Sequence, residues 1–326
     1  EQLQNLMRQR LAAGQQIMLF LNRRGYSGFI SCRSCGHVMK CPHCDVSLSK
    51  HTNGRLVCHY CGYEQANVAN CPECGSKYIL GFKAGTQKVE ESFRQLFGDV
   101  SILRMDRDTT KTKDSYEEIL SDFMEEKGQV LIGTQMIVKG HDFPKVTLVG
   151  ILAADLSLGV NDYRAGERTF QLLTQAAGRA GRGKIPGEVV IQSYQPEHYS
   201  IQRAAQQDYE RFYEEELVYR NLGGYPPVSD MLMIQIYEKE EQAGILLGNR
   251  MKEYLKEFAF ANRMSMIGPA NAGVSKINDV YRSCLILKHR DKNVLKEAKT
   301  RLEGLLGSCG IDGKIVQFDF NPMNSF

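Results

Sequence analysis

The sequence lacks any apolar run of roughly 18 residues or more, the length that a transmembrane helix requires. It also lacks a charged segment followed by an apolar one at its start, the pattern of a secretory leader. We therefore expect a cytoplasmic protein without a membrane partner. The first residue is Glu1 rather than methionine, which fits a piece excised from a longer protein, with a processed terminus as the alternative.

Two further absences bear on the classes of function that the sequence supports. The formal net charge is only +3, too little by itself to indicate nucleic-acid binding. No His-Glu-x-x-His pattern occurs, so nothing in the sequence points to a zinc hydrolase. The composition is that of a soluble globular protein, with 42% apolar and 24% charged residues. Its 326 residues favour two or three domains over one.

Eight of the ten cysteines form four Cys-x-x-Cys pairs. The pairs are Cys32/Cys35, Cys41/Cys44, Cys58/Cys61 and Cys71/Cys74. In a reducing compartment, such pairs indicate metal ligands rather than disulfides. Two pairs supply the four thiolates of one tetrahedral site, so the sequence predicts two structural Zn²⁺ ions. Four thiolates leave no open coordination position, which predicts a scaffold or binding surface instead of a catalytic metal.

The segment between Cys44 and Cys58 favours a nested arrangement of the pairs. Its two short alternating runs meet at Asn53-Gly54, a strong hairpin signal. A hairpin brings its ends together, so the second and third pairs are predicted to share an inner metal. The inner site is then Cys41, Cys44, Cys58 and Cys61, and the outer site is Cys32, Cys35, Cys71 and Cys74. Sequential pairing is the alternative, and it requires the few residues before Cys41 to carry the chain around an ion.

Other residues of the cysteine segment are assigned secondary roles. The histidines are expected at the surface, because eight thiolates already fill two sites: His37, His43, His51 and His59. Gly36, Gly62 and Gly75 each follow the second cysteine of a pair. A left-handed residue at that position lets backbone N–H groups point at sulfur, so left-handed backbone is predicted there.

The flanks of the cysteine segment indicate an α/β unit. Short apolar runs recur at 16–22, 101–106, 129–134, 146–155 and 187–194. Such nearly continuous apolar strands are typical of a parallel sheet buried on both faces, with helices between the strands. Ligands of these sheets gather at the carboxyl ends of the strands. That rule draws attention to Asn22, Asp106, Asp155 and the Thr134-Gln135 pair.

A helix predicted over about 164–178 leads into a stretch rich in glycine and arginine. Four polar side chains follow each other at helical spacing: Gln171, Gln175, Arg179 and Arg182. We predict that they share one helix face, with Phe170, Leu173 and Ala177 packed on the sheet. Two arginines in a glycine-rich stretch are well suited to bidentate hydrogen bonds with phosphate. The competing interpretation is a solvated basic helix end.

The last third of the chain has a different pattern of predicted helices and strands. Residues 198–222 are predicted as one charged helix, and the glycines and prolines of 223–227 end it. The strands and helices that follow are predicted at 231–238, 240–258, 264–268, 280–289, 292–307 and 314–320. Their order is βαββαβ, which predicts a ferredoxin-like α+β domain.

Several motifs together carry a resemblance to known helicases. The stretch QAAGRAGR (175–182) resembles motif VI of superfamily 2 helicases, and LIGTQMIVKGHDFP (131–144) resembles their motif V. With the four cysteine pairs, FLNRRGYS (20–27) and DYRAGERTFQLLTQ (162–175), the chain is similar to the bacterial replication-restart, or primosomal, helicases. The resemblance implies a RecA-like second motor lobe over 1–30 and 81–198, with the zinc module inserted at 31–80. A helical linker at 199–229 and the C-terminal domain at 230–326 complete the expected organisation.

The resemblance also implies residue roles in an ATP-dependent 3′-to-5′ DNA helicase. Arg179 and Arg182 would act as arginine fingers on the γ-phosphate, with Gln175 positioning the nucleotide or its attacking water. The motif V stretch would link the nucleotide cleft to DNA through Thr134, Gln135, Lys139 and Gly140. Arg23 and Arg24 are expected DNA contacts, with a structural ion pair as the alternative.

The same motor would need a Gly-Lys-Ser/Thr phosphate loop and an acidic magnesium box, and neither occurs in the chain. We therefore expect ATP and Mg²⁺ to bind only together with a missing N-terminal lobe, and the chain alone to be inactive.

The expected partners are forked and single-stranded DNA, the single-stranded-DNA-binding protein and other primosome proteins. A basic set is a candidate for that protein's acidic tail, or else a solvated surface: Arg282, Lys288, Arg290, Lys292 and Lys296. The alternative function is a non-enzymatic zinc-containing scaffold for DNA and partners.

Overall fold

The computed structural model describes most of the chain. Outside the described residues lie 23–29, 33, 36, 45, 51–53, 59, 82–84, 107–108, 111, 139–141, 160–161 and 324–326. The chain divides into two compact units. The first comprises Glu1–Gly28, Lys83–Val160 and Arg164–Glu216, and the second comprises Phe29–Phe82, Asn161–Tyr163 and Leu217–Phe326. Within the described ranges, no helix is both long and apolar enough to cross a bilayer.

The helices are, in chain order, α1 (Gln2–Ala12), α2 (Thr86–Phe97), α3 (Lys113–Met124), α4 (Ala165–Ala177), α5 (Tyr199–Gln206), α6 (Tyr209–Gly223), α7 (Glu241–Tyr254), α8 (Lys256–Ala261) and α9 (Lys292–Ser308). The strands are β1 (Gln16–Leu21), β2 (Ile30–Cys32), β3 (Ser49–Lys50), β4 (Leu56–Val57), β5 (Glu64–Gln65), β6 (Ile79–Gly81), β7 (Ile102–Met105), β8 (Val130–Gly133), β9 (Val146–Leu152), β10 (Glu188–Ile191), β11 (Asp230–Glu238), β12 (Ser265–Ile277), β13 (Val280–His289) and β14 (Val316–Phe320). Short 3-10 turns cover Ala154–Ser157 and Gly313–Ile315.

The first unit is built on a five-stranded sheet in the order β10-β9-β1-β8-β7, with parallel neighbours throughout. The predicted parallel α/β sheet is therefore confirmed. Strand β1 lies at its centre and is buried along its whole length. The side chains of a strand alternate between the two faces. Met18 and Phe20 pack with α3 and α4 on one face, while Ile17 and Leu19 pack with α1 and α2 on the other.

The region predicted as a single helix over 198–222 contains a break. Helices α5 and α6 are separated at Gln207, whose φ of 54° is left-handed and ends α5. Ile201 and Ala204 of α5 and Phe212 of α6 are buried in the same core as α4. The prediction of one continuous charged helix was wrong, because the break lets both segments bury their apolar residues.

The second unit contains a four-stranded sheet in the order β12-β13-β11-β14, in which all neighbours are antiparallel. Leu232 and Ile234 of β11 pack with Met251 of α7 and Leu302 of α9. The helix predicted over 240–258 is interrupted at Leu255, and the strand predicted at 264–268 extends to Ile277 with two irregularities in register.

The cysteine segment belongs to the same unit and forms two small sheets. Strands β2 and β6 pair with each other, and β3, β4 and β5 form a separate three-stranded sheet. The hairpin predicted between Cys44 and Cys58 is present as the antiparallel pair β3–β4. Asn53, the first residue of its predicted turn, lies outside the described residues.

Candidate metal centres and phosphate-facing loops

The eight paired cysteines gather into two quartets. One contains Cys32, Cys35, Cys71 and Cys74, and the other contains Cys41, Cys44, Cys58 and Cys61. Within each quartet all sulfur atoms lie within 4.8 Å of one another. The Sγ atoms of Cys32 and Cys74 lie 3.6 Å apart, as do those of Cys41 and Cys61. A tetrahedron with Zn–S bonds of 2.3 Å has edges of about 3.8 Å, so both thiolate sets fit zinc.

Each quartet is assembled from two turns of the same design. The N–H of the first cysteine in every pair donates to the carbonyl five positions later, at His37, Val46, Tyr63 and Ser76. These bonds are 2.8–2.9 Å long and close the turn around the metal position. Gly62 and Gly75 have φ of 75° and 70°, which confirms the left-handed backbone predicted there. Gly36 lies outside the described residues.

Backbone amides and burial shift the thiol pKa values in opposite directions. The backbone N–H of Cys35 lowers the pKa of Cys32 to about 6. Burial raises the pKa of Cys44 to about 12, since an uncompensated thiolate is costly in the interior. The inner quartet is the more enclosed, with Cys44 only 1% exposed, whereas Cys35 and Cys74 are exposed. A divalent cation would compensate the charge of four converging thiolates, and its binding would release their protons.

The described histidines of the segment pair with carboxylates. His43 Nδ1 lies 2.7 Å from Asp279 Oδ2, and His37 Nδ1 lies 3.9 Å from Glu73 Oε1. His51 and His59 lie outside the described residues. Among the described residues, four thiolates form each candidate metal centre, and four ligands fill a tetrahedral Zn²⁺ site without leaving a position for an activated water.

The carboxyl edge of the parallel sheet carries the second group of candidate residues. Asn22 follows β1 and is fully buried, and its Nδ2 donates to Ala154 O (2.7 Å) and Ser157 Oγ (2.9 Å). The end of β1 is thereby fixed to the turn that follows β9. Thr134 and Gln135 follow β8 at the same edge and are partly buried. Four of the predicted DNA-contacting residues lie outside the described residues: Arg23, Arg24, Lys139 and Gly140.

Asp106 and Asp155 at this edge have structural contacts. Asp106 Oδ1 accepts from the N–H of Thr109 at 3.1 Å, a contact typical of turns, and Asp106 Oδ2 lies 3.0 Å from Arg104 Nε. Asp155 Oδ1 accepts from the N–H of Tyr194 at 3.2 Å. Because Asp106 and Asp155 make structural contacts, the candidates for ligand binding at this edge are Asn22 and the loop after β8.

The glycine-rich stretch differs from its prediction in one respect. Phe170, Leu173 and Ala177 are buried, which confirms the packed face of α4, and Gln175 is exposed. The helix ends at Ala177, however, so Arg179 and Arg182 lie beyond it, and the prediction of one continuous helix face was wrong. Gly178 follows the last helical residue, and Gly181 has a left-handed φ of 71° that turns the chain away.

The loop after α4 is joined to the loop before β9. The N–H of Gly181 donates to Val146 O at 2.9 Å. Arg182 Nε donates to Gly178 O at 2.7 Å, and the same guanidinium pairs with the carboxylate of Asp142. Sequence reasoning did not select Asp142, although it lies within the motif V stretch. The segments that resemble motifs V and VI are thus held side by side at one end of the sheet.

Gly183→Ala is expected to lower the free energy of unfolding by about 1–3 kcal/mol. A Cβ at Gly183 would lie 2.2 Å from the backbone oxygen of Pro144, which cannot rotate away. Urea unfolding followed by circular dichroism measures the change. Gly159→Ala is the matched control in the same unit, since a Cβ there meets only Leu156 O at 3.9 Å. Equal stability of the two variants would contradict the close approach of the loops.

One residue of the predicted partner surface, Lys288, is buried. Lys288 is only 6% exposed, and its Nζ donates to Gly223 O at 2.9 Å above the ring of Tyr225. Burial lowers the pKa of this ammonium group. The prediction that Lys288 helps to receive an acidic tail was wrong, because its buried side chain packs on Gly223 and Tyr225 of the same compact unit.

Comparison with known proteins places these features in context. Residues 74–184 match the family described as "Helicase conserved C-terminal domain", and residues 41–65 match the "PriA DNA helicase Cys-rich region (CRR) domain". The replication restart protein PriA of Bacillus subtilis is 42% identical over 98% of the chain and 40% of its own length. PriA of Synechocystis sp. is 42% identical over 88% of the chain and 35% of its own length, and PriA of Chlamydia muridarum is 36% identical over 98% and 42%. The chain spans about two fifths of the length of these relatives.

Proposed function

Because this chain belongs to the PriA family of replication restart proteins, we propose that it supplies the second motor lobe, zinc module and C-terminal domain of an ATP-dependent 3′-to-5′ DNA helicase. In the proposed complete protein, the ATP and its Mg²⁺ lie between this lobe and a first lobe with the phosphate loop. The substrate is forked DNA with single-stranded regions. The reaction served is the reloading of replication machinery at a stalled fork.

The observation that supports this proposal best is the junction of the two loops at one end of the parallel sheet. Arg179 and Arg182 lie in a loop that is anchored to Val146, the first residue of β9, and to Asp142 in the segment between β8 and β9. We assign Arg179 and Arg182 to stabilising charge on the γ-phosphate, and Gln175 to positioning the nucleotide or its water. Asp142 holds the Arg182 guanidinium beside the motif V segment, which would couple nucleotide and DNA contacts.

DNA contacts are proposed along the motif V segment, beginning where it leaves the carboxyl end of β8. Thr134 and Gln135, together with Lys139, Gly140, Arg23 and Arg24, would follow the phosphate backbone of one strand. On the C-terminal domain, Arg282, Arg290, Lys292 and Lys296 remain in the proposed surface for the acidic tail of the single-stranded-DNA-binding protein. Two Zn²⁺ ions would hold the cysteine segment in shape without taking part in ATP hydrolysis.

The proposal is tested by reconstituting the motor. The chain alone is expected to show no DNA-stimulated ATP hydrolysis, because it lacks the amides and lysine that cradle the β- and γ-phosphates. Joined to the N-terminal part of its own reading frame, it is expected to hydrolyse ATP in response to forked DNA. ATP hydrolysis is measured by phosphate release with and without DNA. If the joined protein binds forked DNA but never hydrolyses ATP, the scaffold function replaces the helicase.

A further inference from the structure

The inner metal site is contacted by a segment that lies 234 residues further along the chain. Strands β12 and β13 form a hairpin whose two turn residues are Asn278 and Asp279. Both have left-handed backbone, with φ of 51° and 60°, as a tight two-residue hairpin turn requires. We call residues Lys276–Asp279 the hairpin tip. It belongs to the same compact unit as the cysteine segment.

The hairpin tip makes several polar contacts with the Cys-x-x-Cys turn of Cys41 and Cys44. We call each such turn a knuckle. The N–H of Asn278 donates to Cys44 Sγ at 3.5 Å. The N–H of Asp279 donates to His43 O at 3.0 Å, and its carboxylate lies 2.7 Å from His43 Nδ1. Lys276 Nζ donates to Pro42 O at 3.0 Å and pairs with Asp279 at 3.3 Å. The knuckle is therefore bound by backbone and side-chain groups of the hairpin tip.

Apolar packing accompanies these bonds. Ile277, the last residue of β12, packs against the buried cluster that contains Met39, Leu48 and Leu56. This cluster also contains the inner cysteines Cys41, Cys44 and Cys58. The hairpin tip thus adds to the small core around the inner site as well as to its hydrogen bonds.

The bond from Asn278 to sulfur has a specific role in a thiolate site. Four thiolates around a dication leave excess negative charge, which N–H donors disperse and orient. Two donors come from the knuckles themselves, since His43 N–H lies 3.4 Å from Cys41 Sγ and Tyr63 N–H lies 3.5 Å from Cys61 Sγ. Cys44 is almost completely buried, so solvent does not fill this role at its sulfur. For Cys44, the donor in the described part of the chain is the N–H of Asn278 in the hairpin tip.

We propose that the hairpin tip forms the outer coordination layer of the inner metal site. The C-terminal domain then determines how tightly the inner Zn²⁺ is held, and that ion in turn holds the hairpin tip against the cysteine segment, since coupling between two equilibria is reciprocal. The outer metal is held without this contribution. The proposal depends on metal binding by the two quartets and is independent of helicase activity.

The first test measures release of each metal from the intact chain carrying Lys276→Met and Asp279→Gly. Glycine keeps the left-handed turn, and methionine keeps the length of the lysine stem without its donor. Zinc loss to excess EDTA is followed by native mass spectrometry, which separates species with two, one and no ions. One ion is expected to leave about 10-fold faster, as loss of outer-layer partners typically causes, and the other at the parent rate.

The control and the assignment of the faster ion use other positions of the same module. Arg55→Gln breaks the exposed Arg55–Glu64 ion pair (2.9 Å) away from the hairpin tip and is expected to change neither rate. The release is repeated in Cys35→Ser/Cys74→Ser protein, which retains only the inner quartet. Parent-like release of the inner ion, or equal acceleration of both ions, would overturn the proposal.

A second test observes the hairpin tip directly and separates coupling from misfolding. Amide hydrogen exchange is compared in zinc-loaded and chelated protein. Faster exchange at residues 276–281 with unchanged protection of β11 is the expected result, because the core around β11 is separate from the cluster around the inner cysteines. An exchange rate at 276–281 that is the same with and without zinc contradicts the coupling.

Discussion

Arg179→Ala is expected to lower the DNA-stimulated kcat for ATP by about 10³-fold or more in the two-lobe protein, which is the range reported for loss of an arginine finger. The reason is electrostatic. A guanidinium placed at the γ-phosphate acts on charge that develops in the transition state, so its removal affects kcat more than ATP affinity. Phosphate release under saturating ATP and DNA measures the effect, and ATP and DNA affinities are measured in parallel.

Two further variants make this result specific. Arg179→Lys keeps the charge but loses the planar bidentate geometry, so we expect an activity between those of the parent and the alanine variant. Arg211→Ala is the matched control, since Arg211 is an exposed arginine of the same unit and pairs with the nearby Asp208 at 3.4 Å. A kcat for Arg179→Ala within a few-fold of Arg211→Ala would remove Arg179 from the proposed site.

Substituting two cysteines at a time is expected to remove either one or both zinc ions from each chain, depending on which quartets the two cysteines belong to. Cys41→Ser/Cys58→Ser and Cys35→Ser/Cys74→Ser should each leave one zinc per chain, because each pair of changes lies within one quartet. Cys35→Ser/Cys58→Ser should leave none, because it damages both quartets. Structural zinc in small peptides contributes about 10–16 kcal/mol of apparent binding free energy, so the affected segment is expected to lose its protection from proteolysis.

Zinc content is measured by mass spectrometry of the metal in purified protein, and limited proteolysis reports the state of the segment. Cys309→Ser is the control, since this cysteine belongs to neither quartet and should leave two zincs. Sequential pairing makes the opposite prediction: Cys35→Ser/Cys74→Ser would then leave no zinc. The three double variants therefore decide the pairing without reference to enzyme activity.

Much of the fold could be predicted because it depends on local patterns. Strand β1 is apolar along its whole length, a pattern that only a strand buried on both faces requires, and the structure places it at the centre of the parallel sheet. The hairpin between the inner cysteine pairs follows from two alternating runs and a turn, and β3 and β4 do pair. Periodicity and turn chemistry act over a few residues, so sequence reports them directly.

Helix ends and exposed charges were predicted less well. The spacing of Gln171, Gln175, Arg179 and Arg182 continues past Ala177, where α4 ends, because packing of Gly181 and Gly183 on the backbone of Pro144–Val146 decides the path of the chain. Lys288 appears in the sequence as one basic residue among several, and only its packing on Tyr225 removes it from the surface. Tertiary contacts override local preference in both cases.

For the eight cysteines, local sequence patterns were enough to predict the ligand type, the number of sites and the turns that present the sulfurs. Each of these depends on residues within about five positions of one another, the range over which a metal-binding turn is built. The sequence also identified the two motifs whose arginines and polar residues are proposed to serve ATP and DNA. The contact of Asp142 with Arg182 and that of the hairpin tip with the inner site could be found only in the folded structure. Those contacts join residues far apart in the chain, and their pairing depends on how whole sheets and loops pack.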